Sequence, residues 1–154
     1  IAGFPLSYVN SVETIAKNEN MISINGCLNV DLYGQVNSES AGFRQISGTG
    51  GQLDYVLGAS QARGGKSFLC MSSTYTDKAG QRHSRILPGF SGEIVTTPRS
   101  QCHYIVTEFG AVNLAGLNTW ERSDKLISIA HPDFREKLIK KAEEQRIWLP
   151  SNKR

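Results

Sequence analysis

Residues 47–71 of the chain read SGTGGQLDYVLGASQARGGKSFLCM, and their order decides the class of fold. The stretch opens with a glycine-rich loop and continues with apolar residues at helical spacing, which are Leu53, Val56 and Leu57. The predicted helix ends near Arg63, where two glycines supply a stop signal. The apolar run SFLCM (67–71) then predicts a short buried strand. This succession indicates a domain that mixes helices with a sheet.

The segments on either side extend the same pattern. Residues 1–20 predict a strand-like lead-in followed by a polar stretch, and STYTDKAGQRH (73–83) predicts a polar loop. Further strands are predicted for the runs MISING, LNVDLYGQV, SRIL, EIVTT and HYIVTE. Asn118 predicts a helix N-cap, and Pro132 suits the first position of a second helix. The chain is therefore predicted to be a mixed α/β or α+β domain.

The composition is that of an ordinary globular domain. The chain has 154 residues, of which 39% are hydrophobic and 20% charged, enough for one domain with a core. A net charge of +3 on scattered side chains does not indicate nucleic-acid binding. No apolar run reaches the roughly 18 residues that span a bilayer, so we expect no membrane association and a cytoplasmic location. Because the chain opens IAGFPLSYVN without Met, we expect a piece of a longer chain.

The glycine-rich loop SGTGGQ (47–52) is the first candidate for a functional site. It places flexible backbone directly before a helix N-terminus, where unpaired N–H groups and the helix dipole favour an anion. A phosphate and the oxyanion of an acyl-transfer intermediate both fit this description. The alternative, a tight turn without a ligand, stays open because such loops are common.

The other motifs are weaker indications of a functional site. GGKS (64–67) lacks the first glycine of a phosphate-binding P-loop, and it follows a helix instead of opening one, so we predict a turn there. The three histidines and three cysteines show no metal-ligand spacing. The carboxylates Glu39, Asp54 and Glu108 are candidates for site residues, and each also has a structural explanation as a cap or turn residue.

Several blocks, in order along residues 21–148, resemble a known family. They are NVDLYGQVNSES, SGTGGQLDYVLGAS, GGKS, HSRILP, VTTPR, HYIVTEFGAVNLAG and ISIAHPDFR. Together they are similar to the C-terminal domain of the acetyl-CoA hydrolase/CoA-transferase family, in the branch with 4-hydroxybutyrate and butyryl-CoA:acetate CoA-transferases. The resemblance implies an α/β fold with a mixed sheet and helices packed on it, and it makes residues 1–154 a C-terminal domain without its N-terminal domain.

The resemblance also implies an activity, acyl-CoA:carboxylate CoA transfer in acyl-CoA and butyrate metabolism. Its substrates would be coenzyme A thioesters and small carboxylic acids, with no tightly bound cofactor and no metal. In the family the nucleophilic glutamate lies upstream of every block present here. We therefore expect this chain to bind CoA and the oxyanion, to need the N-terminal domain of the same enzyme, and to form homo-oligomers.

The family's functional residues carry over to four positions. The GxGG loop that supplies a backbone N–H to the thioester carbonyl corresponds to residues 48–51, which makes Gly51 the expected donor and Gly50 its catalytic neighbour. The resemblance places Ser47 and Gly51 beside CoA, and Lys78 corresponds to a lysine that contacts CoA in relatives. Two alternatives remain at this stage, an acyl-CoA hydrolase on the same scaffold and a non-catalytic CoA-binding module.

Overall fold

The computed structural model describes residues 2–149 and residue 151. The helices are α1 (Leu6–Val9), α2 (Val12–Ala16), α3 (Gln52–Gln61), α4 (Thr119–Ser128) and α5 (Pro132–Glu144). The strands are β1 (Ile22–Gly26), β2 (Asn29–Asp31), β3 (Val36–Asn37), β4 (Ser40–Ala41), β5 (Arg44–Gln45), β6 (Lys66–Cys70), β7 (Thr74–Thr76), β8 (Arg82–Ser84), β9 (Ile86–Leu87), β10 (Tyr104–Thr107) and β11 (Gly110–Asn113). No helix in this part of the chain is both long and apolar enough to cross a membrane.

A four-stranded sheet in the order β1-β6-β10-β11 forms the centre of the fold. Strands β1, β6 and β10 are parallel, and β11 returns antiparallel to β10, so the sheet is mixed as expected. Helix α3 forms the crossover from β1 to β6 and packs on both strands. Three smaller pairings stand apart from this sheet: the three strands β3-β2-β9, the hairpin β4–β5 and the hairpin β7–β8.

Only one face of the four-stranded sheet is covered. Residues that alternate onto the covered face are buried with α3 and α4 in the core, among them Leu69, Ile105 and Val112. The opposite face, here called the open face, carries the apolar side chains of Ile22, Ile24, Phe68, Tyr104 and Val106. The strand register places Lys66, Cys70, Ala111 and Asn113 on the same face. Ile22 is 48% exposed and Ile24 is 70% exposed. The sheet therefore leaves one largely apolar face partly exposed to solvent.

The predicted helices and central strands are confirmed. Asn118 caps α4 in a complete capping box with Glu121, and Pro132 occupies the first turn of α5. The two glycines of GGKS form the turn before β6, which begins at Lys66, and Gly64 has φ +73°. Gly65 lies so close to the Ala59 carbonyl that a Cβ atom there would collide with it.

Three predictions of local structure were wrong. Residues 1–20 contain helices α1 and α2 instead of a strand, and Ser11 caps α2 by accepting a bond from the Thr14 amide. The stretch 73–83 contains the β7–β8 hairpin, whose polar strands lack the alternation that marks a half-buried strand. EIVTT forms no strand, because its ladder contact with β3 is limited to an isolated bridge between Val36 and Thr97.

Candidate functional site

The glycine-rich loop lies on the surface and ends at the start of α3. Residues 43–50 are all exposed. Gly50 has φ +56°, a left-handed conformation that favours glycine, whereas Gly51 is the N-cap of α3 with an ordinary φ of −96°. No side chain of the described residues caps this helix. Its first-turn N–H groups therefore meet the geometric requirement for binding an anion.

The entrance of the loop is fixed by backbone hydrogen bonds. The amides of Ile46 and Ser47 both donate to the Glu39 carbonyl, at 2.8 and 3.2 Å. The Gln45 side chain donates to the Ser47 carbonyl at 3.0 Å. Ser47 is exposed, and its hydroxyl donates only to the neighbouring Gly48 carbonyl at 3.2 Å. These hydrogen bonds fix the position of the first residues of the loop. The Ser47 hydroxyl at its entrance remains accessible to a ligand.

Glu39, which anchors this loop, has an unusual side chain. The residue is only 2% exposed, and its Oε2 is buried without a hydrogen-bond partner among the described residues. Buried carboxylate oxygens are nearly always paired, since an unpaired one loses its hydration without compensation. Glu39 is therefore a buried residue whose backbone carbonyl holds the start of the loop, where the sequence had indicated only a flanking carboxylate.

Asn10 is a site neighbour that the sequence analysis missed. Its side chain lies against Gly51, so close that a Cβ atom on Gly51 would collide with its amide nitrogen. The same nitrogen donates to Asp54 Oδ2 at 3.4 Å, across from the first turn of α3. Asn10 ends α1, and its approach depends on the α1–α2 turn. Only a correct prediction of those two helices would have pointed to it.

Lys78 lies at a separate place, the tip of the β7–β8 hairpin, where it is exposed. The Asp77 carboxylate closes this turn by accepting bonds from the amides of Ala79 and Gln81, both at 2.9 Å, and from His83 Nε2 at 2.8 Å. The hydrogen bond from His83 is the main reason that the pKa of Asp77 is lowered. Within residues 2–149 no hydrogen bond or ion pair joins Lys78 to the glycine-rich loop.

The remaining candidates have structural roles. Glu108 accepts bonds from the Ser73 amide and hydroxyl, at 2.7 and 2.5 Å, and so ties the end of β10 to the segment after β6. Partial desolvation opposes ionisation of Glu108, but these two hydrogen bonds outweigh it and lower its pKa. His131 is the N-cap of α5. Burial raises the pKa of Cys27 and of Cys102 to about 12, so both thiols are unreactive.

No metal centre is apparent in this part of the chain. Among the described residues, no three His, Cys, Asp or Glu side chains come together in a way that could hold a metal ion. The polar groups of the loop itself are its backbone amides and the Ser47 hydroxyl, and the Asn10 side-chain amide lies against Gly51. This set suits an anionic or carbonyl-bearing ligand and offers no metal-ligand geometry.

Comparisons with known proteins identify the family of this chain. Residues 1–142 match the acetyl-CoA hydrolase/transferase C-terminal domain family. The chain is 57% identical over 150 residues to the butyryl-CoA:acetate CoA-transferase of Anaerostipes caccae, covering 97% of this chain and 34% of that protein. It is 48% identical over 138 residues to the 4-hydroxybutyrate coenzyme A transferase of Clostridium kluyveri, covering 88% and 31%.

Solved structures give the same result. The crystal structure of RipA from Yersinia pestis superposes with a TM-score of 0.85 at 47% identity, over 94% of this chain and 32% of that one. The 4-hydroxybutyrate CoA-transferase from Porphyromonas gingivalis gives a TM-score of 0.71 at 37% identity, over 94% and 31%. The chain belongs to the acetyl-CoA hydrolase/transferase family and corresponds to its C-terminal domain. It spans about a third of the length of the curated relatives it matches.

Proposed function

We propose that this chain forms the CoA- and oxyanion-binding half of an acyl-CoA:carboxylate CoA-transferase of the butyrate, 4-hydroxybutyrate and acetate type. The observation that carries the proposal is the exposed glycine-rich loop at the uncapped N-terminus of α3, in a member of this family. Butyryl-CoA:acetate and 4-hydroxybutyrate CoA-transferases are among its relatives at 48% identity or more. The substrates would be an acyl-CoA and a small carboxylic acid, and the enzyme would work in the cytoplasm.

The chemistry would proceed by exchange through a glutamate of the upstream domain. Its carboxylate attacks the thioester carbonyl, which releases CoA thiolate and leaves an acyl-glutamyl anhydride. The thiolate then attacks the glutamyl carbonyl, which releases the first acid and forms a glutamyl-CoA thioester. The same two steps in reverse, with a second acid, regenerate the free glutamate. Each addition places negative charge on a carbonyl oxygen.

The role of this chain would be to stabilise that oxygen and to hold CoA. We assign the backbone N–H of Gly51, supported by its neighbour Gly50, as the donor to the developing oxyanion. Ser47 would contact CoA at the entrance of the loop. Lys78 would reach the CoA phosphates from the hairpin tip, where a flexible ammonium in solvent suits a phosphate.

The open face supports the need for a further domain. Parallel sheets normally have both faces covered, whereas Ile24 on this sheet is 70% exposed. We propose that the N-terminal domain of the same enzyme, or a chain segment belonging to it, covers this face. A non-catalytic module that works alone would be expected to bury these side chains.

A trapping experiment tests the proposal. The complete enzyme that carries this domain is incubated with butyryl-CoA, and any enzyme thioester is reduced with borohydride and located by mass spectrometry. We expect the label on an upstream glutamate. A label on Glu39 or Glu108 would show that this domain supplies its own nucleophile. An acyl-CoA hydrolase, the second candidate, would release CoA at a rate that added acetate does not increase.

Gly51→Val tests the oxyanion assignment. The φ of Gly51 allows a side chain, and the clash is with the movable end of Asn10, so the fold should persist. The bulk next to the N–H should lower kcat by on the order of 10² to 10³. Gly3→Val serves as the control, because a Cβ there meets nothing within 4 Å and Gly3 lies outside the loop and the sheet. Equal kcat values in the two variants would contradict the assignment.

A further inference from the structure

A cavity lies beside the start of the glycine-rich loop. It has a volume of about 310 Å³ and lies between the β4–β5 hairpin and the strands β7 and β9. Ile46, the residue before Ser47, forms part of its wall. Arg85, between β8 and β9, also lines it. We call this cavity the Arg85 pocket.

Arg85 is held in place without an acidic partner. Its Nη1 donates to the Leu28 carbonyl at 3.0 Å, and its guanidinium carbon lies 5.1 Å from the centre of the Tyr75 ring. No described carboxylate forms an ion pair with it, and its Nε is buried without a hydrogen-bond partner in residues 2–149. A half-buried guanidinium that is held in place and has N–H groups without partners can bind an anion. Its planar pair of N–H donors matches the two oxygens of a carboxylate.

The rest of the lining limits the charge of that anion. Glu93 is the acidic residue of the lining, and its Oε2 accepts bonds from the amides of Ser91 and Gly92, at 2.8 and 3.2 Å. One guanidinium and one carboxylate leave the pocket with no net charge. Glu93 repels any anion, but it repels a dianionic phosphate about twice as strongly as a single carboxylate, so the guanidinium can hold the carboxylate more readily.

The walls of the pocket are apolar beside the guanidinium. Leu28, Ile46 and Leu87 line it together with the Tyr75 ring. The hydroxyl of Ser40 is already occupied, because it donates to Asn37 Oδ1 and accepts a bond from the Ile94 amide. A ligand with one carboxylate and a short hydrocarbon chain matches this combination of one cation and apolar walls.

We propose that the Arg85 pocket binds the carboxylate of a short-chain monocarboxylic acid, with Arg85 as the residue that holds the carboxylate. This inference rests on the proposed function in one respect: the acid would be the donor or acceptor acid of CoA transfer, held next to the loop that stabilises its carbonyl oxygen. The binding itself does not depend on that reaction and is measured without it.

The test is a titration of the complete enzyme that carries this domain with sodium butyrate, in the absence of CoA and acyl-CoA, followed by 15N NMR. The Arg85 Nε–H signal and the amides of Tyr75 and Ser84 should shift and saturate. Arg85→Gln should weaken binding by about 10- to 100-fold, because a charge-assisted pair is lost. Arg44→Gln is the matched control. It removes an exposed cation of β5 that does not line the pocket, and it should leave binding unchanged.

A second variant covers the case in which Arg85→Gln fails to fold. Asn29 lines the same pocket and directly precedes Val30, which pairs with Ile86. Asn29→Glu should place a carboxylate beside Arg85 and exclude butyrate while keeping the guanidinium.

Three results would overturn the proposal. They are equal binding of butyrate to Arg85→Gln, tighter binding of inorganic phosphate than of butyrate, and equal binding of neutral 1-butanol. A failed titration alongside an upstream glutamate labelled by butyryl-CoA would refute the pocket and leave the proposed function standing.

Discussion

The half-buried imidazole of His103 illustrates how a single side chain in this fold sets a response to pH. Its Nδ1 faces the Ser67 amide at 3.4 Å, between β6 and β10. Burial, and to a lesser extent the charge of Lys66, lowers the pKa of His103. The folded chain therefore prefers the neutral imidazole more strongly than the unfolded chain does.

This preference determines how the free energy of unfolding changes with pH. The unfolded chain takes up a proton on His103 near pH 6.5, before the folded chain does. The free energy of unfolding should therefore fall as the pH drops from 7.5 through 6.5 toward the lower pKa of the folded state. His103→Gln should show a smaller change over the same range. Urea unfolding of both proteins at pH 7.5 and 5.5 measures the difference, and parallel losses would contradict this role of His103.

The local structure around the proposed site residues was predictable to different degrees. The loop of Ser47, Gly50 and Gly51 was predictable because backbone freedom before a helix is visible in the sequence itself. Asn10 was not, because its contact with Gly51 depends on how a distant helical turn packs. The burial of Glu39 was also hidden, since an acidic residue in a serine-rich turn is usually exposed.

At the scale of elements, the junction between α3 and β6 is the tightest point. A Cβ atom on Gly65 would collide with the Ala59 carbonyl, which belongs to the helix backbone and has no room to move. We expect Gly65→Ala to lower the free energy of unfolding by about 2–3 kcal/mol. Gly48→Ala, where a Cβ meets nothing within 4 Å, should stay within about 1 kcal/mol of the original chain. Denaturation in urea compares the two, and equal values would contradict the collision.

The prediction of elements succeeded where burial shapes the sequence. Strands β1, β6 and β10 and helices α3 to α5 carry the apolar spacing that a core requires. The β7–β8 hairpin carries none, because its pairing is closed by the polar turn at Asp77. EIVTT has the composition of a strand but finds too few backbone partners to become one. The local hydrophobic pattern of a segment therefore predicts whether it packs in the core better than it predicts which strands it pairs with.

For the whole molecule, the open face should control self-association. Its apolar side chains should bring copies of the chain together when it is produced without a further domain. Ile24→Lys should shift the chain toward monomer in sedimentation velocity, since it puts a charge on a side chain that is 70% exposed. Val95→Lys changes an apolar residue that is 41% exposed and lies away from this sheet, and it should have little effect. A similar shift in both variants would indicate general solubility instead.

The parallel arrangement of β1, β6 and β10 also determines the order in which the chain can fold. Within the four-stranded sheet only β10 and β11 are joined by a short turn, so this pair of strands can form first, within about 1–10 μs. Ile22 pairs with Lys66, and Phe68 with Tyr104, so both parallel pairings must wait for long loops to close. Although β1 is synthesised before the other strands of the sheet, its partner β6 emerges from the ribosome only after α3. During that interval β1 and its two exposed isoleucines are available to chaperones, and these strands are where slow folding and early misassembly should begin.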